Sequence, residues 1–272
     1  MDPAAVAEDA SGYVVTEPGE VRETRPEVIL THGPIPMPEY GSASRLRLGP
    51  EVDAAVRMVR AWFAQHGRER FVWAVGPSTT PSDLERRLLD LGAEPNPGGT
   101  EMMAMVLDRE PPPSPADVEL RRVATFADYA ATWELVFEGF GMPNEERDAV
   151  RSTLRERWAA TADDPGRWSY LALIDGVPVA GGAVRRTVHG PLFLAGGVTL
   201  PSFRGRGIYR ALVRARWDDA LRLGAGALIV NANVDTSYPI LERLGFRAVG
   251  RVRFLADRSA TLGSPLSAPA AS

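Results

Sequence analysis

The residues best suited to chemistry lie in one short stretch, Arg204-Gly205-Arg206-Gly207, at the start of a strongly helical run. The first N–H groups of a helix lack partners within the helix and carry partial positive charge. Glycines let a backbone approach a ligand closely, and arginines donate paired hydrogen bonds to phosphates. The stretch therefore predicts a cradle for a phosphate or pyrophosphate. Taken alone, these four residues are equally compatible with a charged turn on the surface.

Other phosphate-binding roles fit this stretch poorly. No Gly-Lys-Ser/Thr follows, so a Walker loop is absent, and Arg210 stands where the dinucleotide fingerprint has its third glycine. A nucleic-acid site predicts a basic face. The net charge of −4 and the scattered arginines argue against such a face.

Composition narrows the remaining classes. The sequence has no cysteine, which excludes disulfides, thiolate catalysis and cysteine-ligated zinc. Its three histidines are far apart in sequence, so we expect no metal site. No apolar run reaches the ~18 residues of a membrane helix, and the N-terminus lacks the pattern of a signal peptide. These features predict a cytoplasmic protein that binds neither membrane nor nucleic acid.

Proline-rich breaks divide the sequence. Three successive prolines followed by Pro115 cannot be helix or central strand, and they indicate a linker. The first residues carry few large apolar side chains, which predicts a mobile tail. The predicted divisions are a disordered tail 1–27, an N-terminal lobe 28–108, a linker 109–117, a C-terminal domain 118–258 and a second tail 259–272.

Periodicity assigns helices and strands to both halves. Apolar spacing predicts a helix over Glu51–Gln65, and Asp175-Gly176 predicts a tight hairpin turn between two apolar strands. Ser82 and Thr125 are expected to cap helices. A weak internal repeat pairs "LERRLLDLGAEP" with "YPILERLGFRAV", and each copy is followed by a strand.

Residues 118–257 resemble the GNAT N-acetyltransferase superfamily. The matching stretches are "GGVTLPSFRGRGIYRALV" and "YPILERLGFRAVGRVRFL". The family loop runs Arg/Gln-x-x-Gly-x-Gly/Ala, and Arg204, Gly207 and Ile208 match it. Tyr209 replaces the last small residue, which is tolerable if its side chain points into the helix packing.

The resemblance implies an α/β fold of mixed α+β type, with a mixed, mostly antiparallel sheet flanked by helices. Residues 28–108 are similar to the degenerate N-terminal lobe of some two-lobed bacterial GNAT proteins. Such a lobe repeats later parts of the fold and lacks the cofactor loop. Its implied role is structural: it covers the other lobe and walls the acceptor cleft.

The resemblance also implies a cofactor site for acetyl-CoA, with no metal. Loop N–H groups would bind the pyrophosphate, and the strand before the loop would pair with the pantetheine. The residues implied are Val198, Thr199, Leu200, Arg204, Gly205, Arg206, Gly207, Ile208, Tyr209 and Asn233.

The expected reaction is direct attack of an amine on the acetyl thioester. A lysine-like amine, with a pKa of ~10.4, must first lose a proton, and Glu138 or Glu134 could accept it through water. Backbone N–H groups of Val198 to Leu200 would stabilise the oxyanion. The family's proton-donating tyrosine corresponds to Leu241, so Tyr238, one turn earlier, is the substitute candidate.

Several alternatives stay open at this level. Tyr238 and the two glutamates are equally compatible with packing and surface roles. Asn231 and Asn233 interrupt an apolar strand on one face, which suggests contact with substrate or pantetheine. The protein could bind acyl-CoA without catalysis, as a sensor or regulatory module, or use a longer acyl chain. The acceptor is expected to be a small-molecule or peptide amine, and the protein a monomer or homodimer.

Overall fold

The computed structural model describes residues 1–35, 41–97, 99–114 and 118–260. The helices within these ranges are α1 (Pro3–Glu8), α2 (Ala10–Tyr13), α3 (Val52–Gln65), α4 (Leu84–Asp90), α5 (Phe126–Gly139), α6 (Asn144–Thr161), α7 (Ile208–Arg222) and α8 (Tyr238–Arg243). The strands are β1 (Val21–Thr24), β2 (Ile29–His32), β3 (Gly41–Ser44), β4 (Arg70–Val75), β5 (Glu94–Pro95), β6 (Glu101–Leu107), β7 (Glu119–Arg122), β8 (Arg167–Ile174), β9 (Val177–Arg186), β10 (Leu192–Thr199), β11 (Leu228–Asn233) and β12 (Arg247–Arg258).

These strands form one continuous sheet across both halves of the chain. Its order is β1-β2-β3-β4-β12-β6-β11-β10-β9-β8-β7, and β5 pairs with β12. Strand pairs β3–β4 and β10–β11 are parallel, and the other pairs are antiparallel. Helices α5 and α7 flank the sheet, with Leu171 and Leu173 facing α5 and Ala172 facing α7. This architecture confirms the expected fold class.

The two halves exchange their final strands. In the first half, β3, α3, β4, α4 and β6 succeed one another as β10, α7, β11, α8 and β12 do in the second. Strand β6 pairs with β11, and β12 pairs with β4. The internal repeat is therefore visible in the fold, but the predicted boundary between 28–108 and 118–258 does not separate two sheets.

Local sequence explains many of these elements. The apolar face of α3 buries Val52, Val56, Val59 and Phe63. Asp175 and Gly176 have φ values of 51° and 76° between β8 and β9, as a two-residue hairpin turn requires. The Thr125 side chain accepts a hydrogen bond from the N–H of Asp128 and caps α5.

The expected mobile tail at residues 1–27 is wrong. Helix α1 packs on β6, β11 and β12, and Val6, Ala7 and Ala10 are buried there beside Ile229. The segment has few large apolar residues because a helix lying close to a sheet needs small ones. Low side-chain volume was therefore misread as an absence of core.

Other boundaries need smaller adjustments. Helix α4 begins after Asp83 rather than after a Ser82 cap. Residues 109–114 have neither helix nor strand, as a linker would, whereas residues 115–117 lie outside the described ranges. In the predicted tail 259–272, the N–H groups of Ser259 and Ala260 bond to carbonyls of Glu69 and Arg60. The rest of that tail lies outside the described residues.

Candidate functional site

The glycine-arginine loop joins the end of β10 to the N-terminus of α7. Gly205 and Gly207 both have φ of 77°, in the left-handed region that favours glycine. Gly207 is the N-cap of α7, and no side chain caps that end. The side chains of Arg204 and Arg206 are exposed. An anion at this helix end would therefore meet free backbone donors and cationic side chains.

Residues within the loop divide into inward and outward groups. Ile208 is buried, and Tyr209 packs inward, since a Cβ at Gly197 would lie 2.8 Å from the Tyr209 hydroxyl. Tyr209 therefore meets the condition under which its departure from the family loop is tolerable. Arg204 Nε donates to the carbonyl oxygen of Thr199 at 3.0 Å, which ties the loop to β10.

Strand β10 separates from β11 immediately before the loop. The parallel pairing covers only Leu192–Leu228 and Phe193–Ile229. A register shift on the β9 side lies between Ala195 and Val198. Beyond Phe193, the β10 edge that faces β11 is therefore open, where an extended ligand could pair with the backbone.

The residues at the end of β10 differ in what they offer. The Leu200 N–H donates to the carbonyl oxygen of Val179 at 3.0 Å, so it is not free for an oxyanion. Backbone N–H groups alternate along a strand, which directs the Thr199 N–H away from β9. Thr199 Oγ1 is buried without a hydrogen-bond partner in the described part of the chain. Val198 is buried against α5.

The two asparagines of β11 have different environments. Asn233 Oδ1 accepts from the N–H groups of Asp235 and Thr236, and so forms a turn after the strand. This role is structural, and it leaves only the amide nitrogen of Asn233 for the predicted cofactor contact. Asn231 Oδ1, by contrast, is buried with no partner among the described residues, and Asn231 lines a large cavity.

The proposed acid and bases lie outside the residues that line this cavity. Tyr238 donates its hydroxyl to Glu242 Oε1 at 2.9 Å, and this bond raises the tyrosine pKa above its ordinary value. Glu138 is exposed on α5. Glu134 is exposed and paired with Arg151 at 2.7 Å, which lowers the glutamate pKa.

The cavity has a volume of about 630 Å³ and lies between the N-terminal segment, the sheet and helices α5 and α6. A volume of this size accommodates a typical small ligand. Its wall includes Ala195 and Gly196, at the irregular part of β10, and Asn231 across the opening. The cavity therefore reaches the place where the open strand edge begins.

Sequence reasoning missed a group of buried charges on this wall. Glu17 and Glu20 come from the segment expected to be a tail, and Arg157, Arg167 and Arg185 come from α6, β8 and β9. The sequence indication of this group was that Glu17 and Glu20 closely follow the apolar pair Val14 and Val15. It could be used only once the segment was known to fold against the sheet.

Two further searches of the described residues gave negative findings. None of the helices in those ranges is long and apolar enough to span a bilayer. No group of three or more histidine and acidic side chains is placed to hold a metal ion in the same ranges.

A known family matches the part of the chain that contains the open strand and the glycine-arginine loop. The model of the acetyltransferase (GNAT) family matches residues 129–246. No curated protein matches the sequence. The match begins within α5 and continues through α8, and therefore includes the open strand, the glycine-arginine loop and the start of α7.

Solved structures extend the likeness to the whole chain. A GCN5-related N-acetyltransferase from Kribbella flavida has a TM-score of 0.70 and 19% identity, covering 94% of this chain and 95% of its own. A tandem GNAT protein from the clavulanic acid biosynthesis pathway has a TM-score of 0.59 and 16% identity, covering 96% and 89%. A GCN5-related N-acetyltransferase from Sphaerobacter thermophilus has a TM-score of 0.58 and 20% identity, covering 85% and 80%. At these identities the likeness shows a shared fold.

Proposed function

Since this chain is a member of the GNAT superfamily, we propose that it is an acetyl-CoA-dependent N-acetyltransferase acting on a small-molecule or peptide amine. One observation carries the proposal. The uncapped N-terminus of α7, with two left-handed glycines, directly follows a strand whose edge is open. An anion-binding helix end beside an unpaired strand edge suits a long ligand with a pyrophosphate at one end and amides along its length.

The residues present fit such a ligand. The α7 N-terminus, with Arg206 beside it, would hold the pyrophosphate, and no Cβ at Gly205 or Gly207 obstructs the approach. The open edge of β10 would pair with the pantetheine amides. The buried and unpartnered Thr199 Oγ1 is one more hydrogen-bonding group on the same strand.

Acetyl-CoA supplies an activated thioester, and the chain's own groups bind, orient and exchange protons. We infer that the Thr199 N–H is the oxyanion donor, because the Leu200 N–H is already bonded to Val179. Tyr238 is the proposed acid for the leaving thiolate, since a tyrosine hydroxyl is protonated at neutral pH and the bond to Glu242 raises its pKa further. Glu138 remains the proposed base, acting through water from its exposed position.

A second candidate function is acyl-CoA binding without catalysis. Leu241 stands where the family has its tyrosine, and it is fully buried. The hydroxyl of the substitute, Tyr238, already donates a hydrogen bond to Glu242. A sensor needs the cradle and the open strand but no acid.

Two measurements separate these functions. Acetyl-CoA should raise the melting temperature in both cases, because a ligand that binds only the folded state stabilises it. With a panel of primary amines, a transferase releases free CoA thiol in proportion to the acetylated amine formed. Binding without release by any amine would support the sensor and contradict the transferase.

Gly207→Asp tests the cradle itself. The carboxylate would project toward the bound anion and repel it, so we expect loss of acetyl-CoA binding by calorimetry. At a φ of 77° the substitution also costs ~1 kcal/mol of stability. Gly226→Asp is the matched control, because Gly226 has φ of 71° and open space around a Cβ at the other end of α7. A folded Gly207→Asp protein with wild-type affinity would remove the main support for the proposal.

A further inference from the structure

One part of the cavity wall holds a cluster of charged side chains that are buried or half-buried. The carboxylates of this cluster are Glu17 and Glu20, each with a side chain only 3% exposed, and Asp163 and Asp164 line the cavity elsewhere. The guanidiniums grouped around Glu17 and Glu20 number four, two of which come from β8 and β9, one from β1 and one from α6. They are Arg22, Arg157, Arg167 and Arg185.

Ion pairing engages both oxygens of Glu20 and one oxygen of Glu17. Glu20 Oε1 accepts from Arg22 and Glu20 Oε2 from Arg185, each at 2.8 Å. Glu17 contacts Arg167, and its Oε2 lies 3.8 Å from Arg157 Nη2. Two carboxylates thus serve four guanidiniums, and hydrogen-bond donors of Arg157 and Arg167 stay without a partner among the described residues.

Arg157 is the least satisfied member of the group. It is 7% exposed, and its Nε and Nη1 have no hydrogen-bond partner among the described residues. Its guanidinium lies over the Trp133 ring at 5.1 Å. A buried charged donor without a partner is costly, so it is usually paired or reserved for a ligand.

The neighbouring Arg167 is also unfavourably placed for a positive charge. Burial, and next the charge of Arg185, lower the pKa of Arg167 to about 10. A negative group in the cavity would relieve both the repulsion and the unmet hydrogen bonds.

Six aromatic side chains also line the cavity. Flat rings on α5, α6 and the sheet surround the space, and they favour a ligand with an apolar or ring-bearing body. These are Tyr129, Trp133, Trp158, Trp168, Phe193 and Phe254. Asn231 Oδ1, buried and unpartnered, lies across the open strand edge and could accept a hydrogen bond from an amine.

We propose that the acceptor is an amine that also carries a carboxylate and an apolar body, with the carboxylate bound by the guanidinium of Arg157 and its neighbours Arg167 and Arg185. The part of this inference that concerns the amine rests on the proposed acetyl transfer. The anion site stands on the cavity alone. Planar guanidiniums match a carboxylate through two parallel hydrogen bonds.

The anion site can be tested without catalysis. We expect 3-phenylpropionate to raise the melting temperature of the full chain and 3-phenylpropanamide, its neutral isostere, to leave it unchanged. Equal stabilisation by acid and amide would overturn the inference. Greater stabilisation by 2-phenylethyl phosphate than by the acid would overturn the assignment to a carboxylate.

Arg157→Gln identifies the residue responsible. Glu17 keeps Arg167 in this variant, so the fold retains an ion pair on the wall. We expect the response to 3-phenylpropionate to disappear, and Arg157→Lys, which keeps the charge, to restore part of it. Arg155→Gln is the matched control, since Arg155 is exposed on the same helix. A wild-type response in folded Arg157→Gln protein would refute the role of Arg157.

Acetyl transfer is the second readout. Thiol release should be faster with phenylalanine than with phenethylamine, which lacks the carboxylate. Arg157→Gln should raise the KM for phenylalanine by about 10- to 100-fold, the usual effect of losing a hydrogen bond to a charged group, and leave phenethylamine unaffected. If the acid binds and no amine is acetylated, the anion site stands and the proposed transfer fails. If phenethylamine is preferred, transfer stands and the carboxylate acceptor is refuted.

Discussion

Tyr238 illustrates how one hydrogen bond sets the chemistry of a side chain. Its hydroxyl donates to Glu242, one turn later on α8, and this bond is the main cause of the raised tyrosine pKa. An acid must be protonated in order to donate, so a raised pKa keeps Tyr238 competent throughout the neutral range. The same bond directs the hydroxyl proton of Tyr238 toward Glu242. This bond must therefore break in each turnover before Tyr238 can protonate the thiolate.

We expect Tyr238→Phe to lower kcat by ~10²-fold with little change in KM, as loss of a positioned acid does. Glu242→Gln should preserve activity and bring the tyrosine pKa back toward 10, because the negative acceptor is gone. The pKa of Tyr238 is measured in the wild type and in Glu242→Gln by ultraviolet titration. In each case the titration of the same protein carrying Tyr238→Phe is subtracted. A near-normal kcat for Tyr238→Phe would assign the residue to packing.

At the scale of elements, the N-terminal segment determines the shape of the cavity. Helix α1 covers the sheet, and the residues after α2 bring Glu17 and Glu20 to the wall. Asp9 fastens this segment, since its Oδ1 accepts from the Arg45 N–H at 3.0 Å and its Oδ2 lies 3.4 Å from Arg47. Burial, and next the charge of Glu8, raise the pKa of Asp9 from 3.8 to about 6.

This shift predicts a pH dependence of stability. The folded chain binds the Asp9 proton more tightly than the unfolded chain does, so the contribution of Asp9 is full below pH 3.8 and is lost as the pH rises through about 6. The difference between a pKa of 3.8 and one of about 6 corresponds to roughly 3 kcal/mol of unfolding free energy at most. Asp9→Asn should remove this fall in urea unfolding measurements, because the amide oxygen can still accept from Arg45.

Asp53→Asn is the control for that experiment, since Asp53 is exposed in the first turn of α3. Its free energy of unfolding should change between pH 4 and 6 with the same slope as that of the wild type. If Asp9→Asn also keeps the wild-type slope, then Asp9 ionises in the folded chain as readily as in the unfolded one.

At the scale of the whole molecule, the exchange of final strands makes the two halves interdependent. Strand β6 lies between β11 and β12 and supplies Met105 and Leu107 to the core beneath α7 and α8. Strand β12 in turn completes the first half by pairing with β4 and burying Leu255. Neither half therefore has a complete sheet of its own.

A chain divided after Glu110 tests this dependence. We expect fragments 1–110 and 111–272, expressed together, to copurify as one complex with a cooperative melting transition. Fragment 111–272 alone should be poorly soluble, because it exposes the apolar edge and face that β6 covers. A soluble, monomeric and active fragment 111–272 would show that the first half is an independent appendage.

Features that depend only on neighbouring residues could be predicted from the sequence. The glycine-arginine loop, the Thr125 cap and the Asp175-Gly176 hairpin turn each follow from a few adjacent side chains. Backbone dihedral preferences and helix capping act over a single turn, so a short stretch contains all the information. The family resemblance then supplied the order of the larger elements.

Contacts between residues that are distant in sequence could not be predicted in this way. His32 and His66 are 34 positions apart in sequence, yet their rings lie 5.1 Å from each other. The pairing of Leu200 with Val179 removes a donor that looked free in the sequence. Glu17 meets Arg157 and Arg167 because α1 and α2 fold back over the sheet. Such contacts arise from the packing of whole elements, and no local spacing encodes them.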